Sequence, residues 1–222
     1  MATITYESVF GDIAANVSGV PDVVLQFYMN KVAIDLCERA KVWRVAYAAI
    51  PLTAGQNLYT PSSPVAQTEM SSILTAKAYL GSTAKWKDLD VVTAEQVFEV
   101  YPGWPEIAET KEPVAVTRRD EASVSVLPTP DTAQAYSMYL YCAIRPTLAA
   151  TGLDSTIYAT YRRAIYHGVL HELMTMPKRP WSDDKHAQYH GKQWEWLVNT
   201  ARARANKSFS RANISVVPAP WA

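Results

Sequence analysis

The hydrophobic period of this chain changes twice, and few folds accommodate that. Up to about residue 40 apolar residues recur every three or four positions, from 41 to 146 they alternate or run together, and beyond 147 the helical period returns. Residues 6–17, YESVFGDIAANV, set Val9, Ile13 and Val17 on one helical face. Pro21 suits the first turn of a second helix over about 21–40, whose stripe is Leu25, Met29, Val32, Leu36 and Ala40. From Lys41 the composition turns to Val, Tyr and Trp (VWRVAYAAIPL), followed by the turn-rich TAGQNLYTPSSP. ILTAKAYLG (73–81), PVAVTRRD, ASVSVLPTPD and AQAYSMYLYCAIRP read as further strands. In the last of these Tyr136, Met138, Leu140, Cys142 and Ile144 alternate with Ala135, Ser137, Tyr139, Tyr141 and Ala143. Both faces are partly apolar, which places such a strand inside a layered β-region or beneath a partner. Between the strands, Thr93 with Gln96 makes a capping box for a short helix, TAEQVFEVY.

After Pro146, Asp154 or Ser155 caps a helix to about Met176, PKRPWSD is a connector of the length used between antiparallel helices, and Ser182 with Asp183 and Asp184 opens a long helix to about Lys207. The order predicts an α+β fold. Its N- and C-terminal helices form an antiparallel bundle carrying an inserted β-rich region of sandwich or barrel type, with an extended C-terminal tail. The expected segments are 1–40 for the N-terminal helices, 41–146 for the β-rich insertion, 147–208 for the C-terminal hairpin and 209–222 for the tail.

Charge narrows the partners. The 21 basic and 21 acidic residues cancel, which argues against a polyanion binder, but residues 1–130 carry 10 Lys and Arg against 15 Asp and Glu (net −5) and residues 131–222 carry 11 against 6 (net +5). Such halves could attract one another between neighbouring copies. Cys37 and Cys142 lie far apart with no CxxC spacing, so buried reduced thiols are expected. MATITYESVFGD lacks the basic and apolar regions of a signal peptide, and no apolar run reaches about 18 residues, so a soluble chain made in a cytoplasm, without membrane contact, is expected. Thirteen Tyr and seven Trp against four Phe favour rings with a polar tip, which suit surfaces buried against a partner at one end and wet at the other.

All four histidines fall in HGVLHELMTMPKRPWSDDKHAQYH, as two i, i+4 pairs, His167 with His171 and His186 with His190. A four-histidine metal site shared by two helices would need that spacing. The helical wheel argues otherwise, because His167 points away from the stripe Ile157, Tyr161, Ile165, Gly168, Val169, Leu173 and Met176, whereas His190 lies along the stripe of its own helix. The two pairs are therefore not expected to face each other, and HGVLHE reverses the order of the HExxH motif. There is no GxSxG, no P-loop and no GxGxxG, and the adjacent acids Asp183–Asp184 and Asp120–Glu121 are read as solvated turns. No enzyme activity and no cofactor are expected. A metal-dependent enzyme on the four histidines is the alternative, as is a non-specific DNA-binding module using the basic residues Arg162, Arg163, Arg202, Arg204, Lys207 and Arg211.

Three runs carry a resemblance: RAKVWRVAYAAIPLTAGQNLYTP; SVLPTPDTAQAYSMYLYCAIRPTLAATGLDSTIYATYRRAIYHGVLHELMTMPKRPWSD; and HAQYHGKQWEWLVNTARARAN. An extended segment leads to Ile144-Arg145-Pro146, a helix follows with a small-residue step at Gly168, then a Pro-x-x-Pro-Trp turn from Pro177 to Trp181, then a long helix ending in an Ala-Arg repeat. In this order the chain resembles the head-to-tail adaptor (connector) proteins of tailed bacteriophages, of the tail tubular protein A type. The resemblance covers rather more than half the chain, with residues 1–40 alike only in being helical. It implies a structural virion protein of the neck between head and tail, assembled in the host cytoplasm. Copies would form a ring, expected to be a dodecamer, that binds the portal protein on one side and the tail tube or nozzle protein on the other, with a channel for the genome to pass on ejection. Ile214, Val216, Val217 and Trp221 in the tail would then bind the portal or a neighbouring subunit, and Arg162, Arg163, Arg202 and Arg204 would line the channel and touch DNA transiently without reading sequence.

Overall fold

Where the sequence leads one to expect helices bundled apart from a β insertion, a sheet organises the molecule. The computed structural model describes residues 2–81, 85–100, 110–131 and 135–207. Its strands are β1 (Thr3–Thr5), β2 (Arg44–Ala46), β3 (Ile50–Leu52), β4 (Leu58–Tyr59), β5 (Thr68–Leu80), β6 (Lys85–Val91), β7 (Thr110–Lys111), β8 (Ala115–Arg118), β9 (Val124–Leu127), β10 (Thr129–Pro130), β11 (Tyr136–Pro146) and β12 (Gly152–Asp154). The α-helices are α1 (Phe10–Ala14), α2 (Asp22–Ala40), α3 (Ala94–Val100), α4 (Ser155–Met174) and α5 (Asp184–Asn206).

Eight strands form one curled, mixed sheet of half-barrel shape in the order β2-β11-β5-β6-β8-β9-β4, with β3 also on β11. Its neighbours are antiparallel except β6 and β8. The spine is the pair β5–β11, in register from Tyr136↔Leu80 to Pro146↔Thr68, with shifts between Tyr141 and Cys142 and between Ala143 and Ile144. Such irregularities bend a strand and sharpen its right-handed twist, which curls a sheet this long.

β11 decides which way the helices lie. Met138, Leu140, Cys142 and Ile144 are each at most 2% exposed and join one core cluster with Met29, Val32, Leu36 and Cys37 of α2 and Ile165, Val169 and Leu173 of α4. Burying each large side chain contributes about 1.5–3 kcal/mol. The apolar stripe of α2 is thus shared between β11 on one side and α4 and α5 on the other. The expected bundle with a protruding β insertion is therefore incorrect: the helices form a layer held on the curled sheet.

The helices themselves stand where the period put them, with one exception. Residues 6–17 are not a bundle helix but a 3-10 turn (Tyr6–Val9) and the five-residue α1. Val9, Ile13 and Val17 are nonetheless buried, so the apolar face was placed and the element was not. Ahead of them β1 pairs with β12, Thr3 opposite Asp154, and ties the start of the chain to the start of α4. Thr93 and Gln96 form the reciprocal capping box at α3: the Thr93 N–H donates to Gln96 Oε1 at 2.9 Å and the Gln96 N–H to Thr93 Oγ1 at 3.3 Å. Cys37 and Cys142 are free and buried.

Candidate functional site

The α4–α5 hairpin carries all four histidines and the four arginines expected to line the channel, Arg162, Arg163, Arg202 and Arg204; Arg211 lies outside the described residues. Asp154 caps α4, its carboxylate accepting from the N–H groups of Thr156 and Ile157, and Asp183 caps α5 through those of Lys185 and His186. Two glycines bring the helices together. A Cβ on Gly168 would lie 2.6 Å from Val32 Cγ1 and 2.9 Å from Trp194 Cε3, and one on Gly191 would lie 2.9 Å from His171 Nδ1. These positions allow α4 to approach α2 and α5 more closely than a side chain would permit.

At this approach His167 meets His190. Their Nδ1 atoms are 2.8 Å apart, their ring centroids 5.0 Å apart, and both residues are buried. The expectation that the two histidine pairs face apart fails at this point. A helical wheel assumes one buried stripe, whereas α4 packs on α2 and α5 together and so buries a wider arc that includes His167. Tyr166 and Tyr189 close the cluster edge-on, with centroid distances from 5.3 to 6.1 Å. A hydrogen bond between two Nδ1 atoms needs one donor and one acceptor, so the pair holds at least one neutral ring. Burial lowers the pKa of both; proximity to His190 and Arg163 lowers that of His167 further, and proximity to His186 and His171 that of His190.

The other two histidines go elsewhere. His171 Nδ1 donates to the Ala187 carbonyl at 2.9 Å, and the exposed His186 places Nδ1 2.7 Å from Asp183 Oδ2. Asp183 is held below the usual carboxylate range, first by the backbone N–H of His186 and then by its ring. Among the described residues no three His, Cys, Asp or Glu side chains are arranged to hold a metal ion. What the imidazoles do geometrically is clasp the hairpin.

The arginines sit at two levels. Arg162 pairs with Asp12 of α1 at 2.6 Å, and with the exposed Arg163 it borders a groove of about 410 Å³ lined also by Ile13, Tyr158 and Tyr166. Arg202 and Arg204 are exposed in the last turns of α5. Measured from the His167–His190 contact, Arg162 and Arg163 are four to five residues away along α4 and Arg202 and Arg204 twelve to fourteen along α5, so the two pairs differ in height by roughly 12 Å. Arg204 and Arg44 act electrostatically on the Tyr161 hydroxyl, whose pKa burial raises. Ile214, Val216, Val217 and Trp221 lie outside the described residues.

Two arrangements escaped the sequence reading. Arg145, at the end of β11, reaches three carboxylates: Nε to Glu69 at 2.8 Å, Nη1 to Glu38 of α2, and Nη2 to Glu121 at 3.6 Å. It fastens the helical layer to the sheet at the position where the resemblance places its Ile-Arg-Pro. Burial raises the Glu69 pKa, and Glu121 adds to the rise. On the sheet face away from the helices, Trp86 packs against Tyr79 (centroids 5.2 Å) and Tyr139 (4.8 Å). In the sequence that ladder left two traces, the Tyr and Trp excess and the apolar second face of β11 with Tyr139 and Tyr141; Trp86 as its centre was not legible.

A family model described as SU10 adaptor protein matches residues 4–216. No curated protein matches the chain.

Proposed function

Since this chain belongs to the SU10 adaptor protein family, a family of phage head-tail adaptors, we propose that its copies close into a ring, of twelve subunits, that docks on the portal and offers its far side to the tail tube or nozzle. The match from residue 4 to residue 216 carries the reading, because it takes in the sheet, the helical layer and the hairpin together. The family places the protein in the virion neck, joined to portal and tail components, in a structural role.

The ring is the finer part. A closed ring needs complementary surfaces on opposite flanks of one subunit. Exposed aromatic side chains on separate elements support this: Phe27 on α2, and Tyr189 and Trp196 on α5, each more than half exposed. In this reading Arg162, Arg163, Arg202 and Arg204 face the channel and meet phosphate without distinguishing bases. Ile214, Val216, Val217 and Trp221 anchor the assembled subunit to the portal or to a neighbour.

Light scattering on the purified protein, alone and then with its portal, tests the proposal. A discrete ring, or a monomer that becomes one on the portal, is the expected result. A monomer under both conditions would overturn it.

A further inference from the structure

The half of the sheet opposite the helices is the feature the adaptor reading leaves unused. In the first half of β11 Ser137, Tyr139 and Tyr141 alternate with the buried Met138 and Leu140 that join the core with α2; Tyr139 is half-buried and Tyr141 is 41% exposed. Across the strands Tyr139 stands opposite Lys77, Tyr79 opposite Trp86, and Ser137 opposite both Tyr79 and Pro51. Trp86 is 56% exposed although it packs on both tyrosines. Beside the rings, Lys77 and Asp88 pair at 3.2 Å, so the patch has no unbalanced charge of its own. The result is an open face of three tyrosines, a tryptophan and a proline, rimmed by one ion pair.

We propose that this face binds the protein's own C-terminal segment, residues 208–222, with Pro218 and Trp221 seated on the rings of Trp86, Tyr79 and Tyr139. Three observations select that occupant. The first is chemistry: ISVVPAPWA is apolar, and two of its residues are prolines. Proline favours the polyproline II form, and aromatic-lined surfaces recognise that form. In it Pro218 and Trp221 stand three residues apart, hence on one side and about 9 Å from each other. The rings they meet form one compact cluster, Trp86 lying 4.8 Å from Tyr139 and 5.2 Å from Tyr79, so the two side chains sit on either side of it.

The second is position. The Arg44 Nη2 group donates to Asn206 Oδ1 at 3.4 Å, and Arg44 is the strand partner of Ala143. α5 therefore ends beside the β2 edge of this sheet, four residues along β11 from Tyr139, or about 13 Å. The third is length. Fifteen residues follow Lys207, with an extended reach of about 50 Å, enough to round the β2 edge and cross the face. A segment tethered so closely has an effective concentration near a millimolar, so even a weak contact is populated. Docked there, the tail is held by its own subunit until a partner with a better surface draws it away. The inference stands on the face and on the tail's chemistry, independent of ring size or portal.

Cross-linking in the full chain tests it. Ser137→Cys with Ala222→Cys puts a thiol on the face and one beside Trp221 while every ring is kept; Thr200→Cys with Ala222→Cys is the control, on exposed α5 nearer the start of the tail. A tail that samples space freely would link to position 200 at least as fast. The expected result is disulfide formation at 137 at least tenfold faster than at 200, within one chain at micromolar protein. Adding Trp86→Ala or Trp221→Ala should abolish that preference with the melting temperature kept within a few degrees. Equal rates at 137 and 200, or a preference indifferent to both tryptophans, would overturn the proposal. Links formed only between chains would also overturn it and make a second copy the occupant. None of these outcomes bears on whether the protein forms a ring on the portal.

Discussion

A single methyl group measures how tightly the hairpin is drawn. Gly168→Ala places a carbon within 2.6 Å of Val32 Cγ1 and 2.9 Å of the Trp194 ring, so α4 must shift from α2 and α5. Overpacking of that kind typically costs 1–3 kcal/mol, and a loss of about 2 kcal/mol in urea unfolding with an unchanged m-value is expected. The histidine pair next to it responds to pH. Both rings have folded-state pKa values below the unfolded one, so the folded chain binds fewer protons and stability is full above the unfolded value, near 6.5. Stability should fall as the pH drops from about 6.5 through the lower folded values. Chemical denaturation at pH 8, 6.5 and 5.5 reads this, and His167→Gln should flatten the fall; an equal fall in the variant would assign it to other groups.

Elements were legible in the sequence to the extent that each carries an apolar pattern of its own. α2 and α5 appear close to where the 3.6-residue period puts them, and β11 was readable because both of its faces were apolar. β6 was not: in KWKDLDV only Leu89 is buried, and pairing with β5 and β8 makes it a strand rather than any pattern of its own. The bundle was misjudged for the same physical reason, since a period shows that a helix has an apolar side without saying whether a helix or a sheet covers it. Of the site, the arginines and histidines could be named, but the His167–His190 contact depends on two glycines acting across helices and could not be seen. If β11 is the shared core strand, Met138→Ala should cost 2–5 kcal/mol, as for other fully buried large residues. Asp154→Ala should cost about 1 kcal/mol, because it removes the acceptor for two N–H groups of α4. A melting curve of each, compared with the parent, checks the ranking.

For the whole molecule, ion pairs within the subunit cross between the acidic and basic halves in both directions. Arg145 joins Glu38 and Glu69, and Arg162 joins Asp12, each pairing the basic second half with the acidic first. Lys31 with Glu172 and Arg39 with Glu195 run the other way. Two cations cross in each direction, so these pairs leave the −5 and +5 excesses standing, and charge complementarity remains available to the proposed ring alongside apolar and aromatic contact. Removing residues 209–222 should leave the melting temperature unchanged and weaken portal binding at least tenfold by surface plasmon resonance. Unchanged affinity would remove the tail from docking.

The pairing of Thr3 with Asp154 also sets an order of events in time. A ribosome releases the first strand long before its partner exists, and β2 likewise waits for β11. The closing of contacts so distant in sequence is slow compared with forming a hairpin or a helix. Until most of the chain has emerged, the sheet has no spine and the helical layer has nothing to lie on. A nascent copy is thus kept from presenting a finished surface, and in the proposed ring only whole subunits would join.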